Sequence, residues 1–149
     1  MPNAFIDLQS RLAALLAVAF PTDTILTEKL GDLPQQIETT LLNIGFGIVV
    51  TTARGTAQNL DQAGWSQPMP LVFQEELTVA VIHAPLLKTD RNTLDAVSTA
   101  IAALHNQPVA FGQRSTPLIR VTGHELATDA PDGVVVHHLL VRTVLPFSV

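Results

Sequence analysis

The hydrophobic period of this chain changes at Gly45, and that change decides most of what the chain can fold into. Before it, apolar residues recur every three to four positions. Phe5, Leu8, Leu12, Leu15, Leu16 and Ala19 make one face of a helix over residues 4–20, with Asn3 placed to cap its start and Pro21 to stop it. A second helix is expected over 33–44. Asp32 and Gln35 resemble a capping box there, Pro34 sits in the first turn, and Ile37, Leu41 and Ile44 form the buried stripe. After Gly45 the period is two: Phe46, Ile48 and Val50 alternate with Gly47, Val49 and Thr51 in a strand expected to end near Arg54.

The rest of the chain repeats this alternation of element types. The strongest strand signal runs from Leu71 to His83, with Leu71, Phe73, Leu77, Val79 and Val81 on one side and Gln74, Glu76 and Thr78 on the other. A third helix is expected over 93–106, capped by Asp90 or Asn92, with Leu94, Val97, Ile101 and Leu104 on its buried face. Two final strands, Leu118 to Glu125 and Val134 to Leu145, are joined by the turn Pro131-Asp132-Gly133. The last is apolar on both faces, which suits a central or covered strand. The order α-α-β-β-α-β-β implies an α+β fold. The expected form is a two-layer sandwich: a four-stranded, mostly antiparallel sheet with helices on one face. At 149 residues the whole chain, 1–149, is expected to be a single domain, interrupted by a long irregular hairpin loop at 55–70.

Composition narrows the partners. A formal net charge of −5, with eight Lys and Arg of which no two are adjacent, leaves no basic stripe for nucleic acid or anionic lipid. The chain lacks cysteine, which excludes disulfides and thiolate chemistry and suits a reducing compartment. Leu12 to Phe20 is too short an apolar run to cross a bilayer, and without a basic segment before it a buried helix is expected there rather than a signal peptide. Hydrophobic residues make up 47% of the chain and charged residues only 14%. A free monomer ordinarily carries more surface charge, whereas interfaces are poor in Lys, and this chain has only Lys29 and Lys88. Association with other protein chains, including copies of itself, is therefore expected.

A search for chemistry finds little. His137 and His138 are strand neighbours and point to opposite faces, as do His124 and Glu125, so neither pair converges on one metal. His83 closes a strand and His105 closes a helix; solvated or interfacial histidines are the preferred reading, and no metal or cofactor is expected. Glu75 shares a face with Phe73 and Leu77, where a buried carboxyl could act as a general acid or base. An ion pair is the commoner outcome for Glu75 and Glu76, with Arg120 and Arg142 as candidate partners on the last two strands. The 55–70 segment carries Trp65, with Arg54 and Asp61 nearby. Trp65 is either an interface anchor or a lid folded over the core edge. The interface candidates are thus Trp65, Arg54, Asp61, Glu75, Glu76, Arg120 and Arg142, with no catalytic residue among them.

Three stretches carry a resemblance: the strand Phe73-Gln74-Glu75-Glu76-Leu77-Thr78-Val79-Ala80-Val81, the helix holding Asp95-Ala96 and Ile101-Ala102-Ala103-Leu104-His105, and the closing Arg142-Thr143-Val144-Leu145-Pro146-Phe147. In element order and in these stretches the chain resembles the tail-terminator and tail-completion (head–tail joining) proteins of tailed phages and prophages. The resemblance implies a non-enzymatic structural protein. It would form a ring, commonly hexameric, that caps the tail tube and contacts other tail or neck proteins, in the host cytoplasm during assembly and then in the virion. Two other readings stay open: a small ligand-binding or regulatory α+β module acting as a dimer, and an enzyme using Glu75 or Glu76 with a histidine.

Overall fold

The computed structural model describes residues 3–29, 31–58, 71–109 and 117–147. The elements run α1 (Ala4–Ala19), β1 (Ile25–Thr27), α2 (Leu33–Asn43), β2 (Phe46–Ala57), β3 (Leu71–His83), α3 (Thr93–Leu104), β4 (Arg120–Leu126) and β5 (Val135–Phe147). The α+β class holds, but the described residues form a five-stranded sheet where four strands were expected, in the order β1-β2-β3-β5-β4. The added strand, β1, lies parallel to β2, with Ile25 beside Ile48 and Thr27 beside Val50. All other neighbours are antiparallel. The doubly apolar β5 sits between β3 and β4, a central position, but only its His137, Leu139, Val141, Thr143 and Leu145 face is buried, and Leu140 on the other face is exposed.

The helices do not share one face of the sheet. Leu8, Leu12 and Leu16 of α1 and Val97, Ala100 and Leu104 of α3 pack with Phe46, Ile48, Val50, Leu77, Val79, Val81, Leu139 and Val141 in one core. Side chains alternate along a strand, so Gly47 and Val49 face away from that core. On that opposite face a side chain at Gly47 would begin 2.9 Å from the Thr40 methyl of α2 and 3.6 Å from Ile82. Thus α2 covers the second face at one end of the sheet, and Val49 and Ile82 are buried under it. Its seat is Thr40 on a strand glycine. The stripe expected from Ile37, Leu41 and Ile44 is displaced, with Ile44 exposed.

Local signals settle the helix ends where a side chain can reach an orphan amide. The Asn3 carboxamide accepts from Phe5 and Ile6 N–H, and Asn92, rather than Asp90, accepts from Leu94 and Asp95 N–H. Asp32 makes no such bond at the start of α2. The buried face of α3 is Ala96, Val97, Ala100 and Leu104; Leu94, expected inside, is exposed. Asn92→Ala is expected to lower the unfolding free energy by about 1 kcal/mol, read as a shift in urea midpoint. No shift would mean that α3 is held at its start instead by Thr93, whose hydroxyl lies 2.8 Å from the His83 Nδ1.

Candidate protein interface

The candidate residues separate by sheet face. Past Thr52 the β2–β3 register shifts, so that Arg54 stands opposite Glu76 and Gly55 opposite Glu75. On the next pairings Glu76 stands opposite Arg142, and Arg142 opposite Arg120. Arg54, Glu76, Arg142 and Arg120 therefore form one row across four strands, on the face away from α1 and α3. The Arg54 Nε donates to Glu76 Oε2 and an Arg142 terminal N–H donates to Glu76 Oε1 at 2.9 Å. Hydrogen bonds from Arg54 and then Arg142 hold the Glu76 carboxyl below the ordinary carboxylate range. Arg120 ends the row exposed, with no carboxylate partner among the described residues.

Glu75 leaves this row for the interior. It is 1% exposed, and its Oε2 has no hydrogen-bond partner among the described residues. Its carboxyl occupies the space over Gly55, where an added Cβ would strike Oε1 at 2.0 Å. Desolvation raises its pKa. The arginine expected near the carboxylate pair belongs to Glu76, because alternation turns Glu75 to the opposite face. Trp65 and Asp61 lie outside the described residues.

Two of the five histidines, His83 and His137, are buried, whereas His105 and His124 are exposed. His83 is buried: its Nε2–H donates to the Lys88 carbonyl at 2.8 Å, and its Nδ1 meets the Thr93 hydroxyl at 2.8 Å, pinning the β3–α3 loop. It stands edge-on to Phe46, whose ring also carries Arg91 at 4.4 Å, and Arg91 pairs with Asp23. His105 Nδ1 accepts the Val121 N–H at 3.0 Å, so its ring serves as an acceptor. His124 and His137 stack across β4 and β5, with Nδ1 and Nε2 2.9 Å apart. No cluster of three or more potential metal ligands occurs among the described residues, and none of their helices is long and apolar enough to cross a membrane.

Burial lowers the His137 pKa from its ordinary 6.5, with smaller contributions from His124 and His138. As pH falls through 6.5 the unfolded chain takes up this proton first, so the site loses stability from there downward. Wild type should lose more stability than His137→Leu between pH 7 and pH 5 in paired urea titrations. Parallel pH profiles would remove the histidine pair as the cause.

The fold recurs in a known particle. A chain in the structure described as the virion of a native gene transfer agent particle matches over 97% of this chain and 93% of its own, with a TM-score of 0.54 and 14% identity. At that identity the fold is what the two share. A crystal structure from Akkermansia muciniphila matches 97% of this chain and 77% of its own at a TM-score of 0.32 and 11% identity. No family model matches the chain, and no curated protein does.

Proposed function

We propose that this chain is a one-domain, non-enzymatic structural protein of a phage-type tail, assembling into a ring that terminates the tail tube or joins it to neighbouring tail or neck proteins. The observation that carries this reading is the fold likeness to a chain of the gene transfer agent virion, which spans nearly all of both chains. The low proportion of charged residues supports it, since a surface poor in Lys suits burial against other chains. The row Arg54–Glu76–Arg142–Arg120 lies on a sheet face that α1 and α3 leave uncovered, and it supplies polar contacts for such burial. Trp65 and Asp61 join it as candidate contacts, whereas Glu75 acts from beneath the surface. The protein would work in the host cytoplasm during assembly and in the finished virion.

The test is the solution mass, by light scattering after size exclusion at several concentrations, with negative-stain imaging. A discrete ring of about six copies is the expected result. A strict monomer at high concentration, even with purified tail tube added, would sink the reading. A tight dimer would favour the small ligand-binding module instead.

A further inference from the structure

Most of the large apolar side chains that the fold leaves exposed gather at one end of the molecule. Leu42 and Ile44, at 68% and 42% exposure, finish α2, and Leu86 and Leu87, at 91% and 52%, follow β3. The two segments touch: a side chain at Gly45 would start 3.0 Å from Leu87 Cβ, and the Ala84 N–H donates to the Gly45 carbonyl at 2.7 Å. Val18 lies at the same end of the sheet but on the side that α1 covers, because the C-cap Phe20 of its helix packs on Phe46, the first residue of β2. Leu94 arrives through the Thr93–His83 bond, and Leu126 through its pairing with His137 near the start of β5. Scattered exposed leucines need no explanation, but a collected set does.

The charges around this end have one sign to spare. Its cations are committed, Lys88 to Asp90 and Arg91 to Asp23. Asp95, Asp129 and Asp132 are exposed there without a cation partner among the described residues. The opposite imbalance lies on the open sheet face, where Arg54, Arg142 and Arg120 outnumber the carboxylates of Glu76 and Glu125, and where Leu140 and Val144 lie alongside Arg142. Glu76 stands seven residues along β3 from His83, so the two regions are separated by roughly 23 Å of strand.

We propose that the apolar, acid-rimmed end of one copy seats on the arginine-bearing sheet face of the next copy. The inference rests on the ring reading above and names the contact that builds the ring. Two different surfaces of opposite charge meet head to tail, which is the heterologous geometry that closes rings; a self-complementary patch would stop at a dimer. The apolar residues supply the buried centre, while the aspartates and arginines set register and exclude like-charged approaches.

The experiment uses the full chain with Leu86→Glu, which blocks the apolar end, and Arg120→Glu, which blocks the sheet face. Both side chains are exposed and make no described bond, so circular dichroism and urea midpoints should match wild type. Each variant alone is expected to lose the ring and run as a monomer. Mixed in equal amounts at up to about millimolar concentration, the two should form a one-to-one dimer, because one intact surface remains on each. Wild-type rings together with either variant still closing into rings, or with a mixture that stays monomeric, would overturn this contact and leave the ring itself standing. A wild type that never assembles fails at the earlier step and removes the ring reading and this contact together.

Discussion

Gln9→Ala is expected to cost about 2–4 kcal/mol of unfolding free energy, a large effect for a polar residue on the first helix. Gln9 is 1% exposed and uses both ends of its carboxamide. Its Nε2 donates to Glu28 Oε1 and to Thr52 Oγ1, both at 2.9 Å, while its Oε1 accepts the Glu28 N–H at 2.9 Å. Glu28 Oε1 in turn accepts the Thr52 N–H at 2.9 Å, just past the point where β1 ceases to pair with β2. Truncation leaves the Glu28 amide without its acceptor and takes a donor from the exposed Glu28 carboxylate, in addition to opening a cavity where the buried carboxamide stood. A double-mutant cycle with Glu28→Ala should show strong coupling between the two sites. Additive losses would mean that the four bonds do not act as one network.

The second large effect has the opposite sign. Glu75→Leu is expected to stabilise the protein by about 1–3 kcal/mol at pH 7, because a buried carboxyl without a partner is exchanged for a side chain that belongs in the core. The space over Gly55 that now holds the carboxyl accepts the leucine. The pH dependence distinguishes this cause from simple packing. Desolvation raises the folded-state pKa above the ordinary 4.5, so the unfolded chain ionises first as pH rises. Stability is therefore lost from about pH 4.5 upward until the folded-state pKa is passed. The advantage of Glu75→Leu over wild type should be small near pH 4.5 and grow toward pH 7 in paired urea titrations. A constant difference across that range would reject desolvation as the cause, and a less stable variant at pH 7 would reject the prediction itself.

These two residues also mark where reading the sequence succeeds and where it stops. Alternation alone places Glu75 beside Phe73 and Leu77 and turns Glu76 away, and the strand Leu71–His83 follows from the same pattern. It cannot supply the partner of Glu76, which depends on the β2–β3 register after the shift between Thr52 and Arg54. The strand β1 escapes notice because three residues carry no periodic signal; a glutamine nineteen positions away ties down its end. The helix α2 is legible as a helix, but its face is not, since it packs through a threonine methyl on a glycine, a contact between residues with little apolar surface to read. The apolar end is hidden for a related reason. Leu94 sits at the spacing of a buried face, and only the position of α3 on the sheet turns it outward.

The two margins of the sheet limit how copies of this chain can join. One margin is the three-residue β1, and the other is β4, whose pairing is broken by a bulge between Val121 and Gly123 and which carries Arg120 and Glu125. Neither offers the long, flat row of free amides and carbonyls that invites a strand from another molecule. Among the described residues, therefore, the margins favour contacts between copies through side chains over addition of a strand.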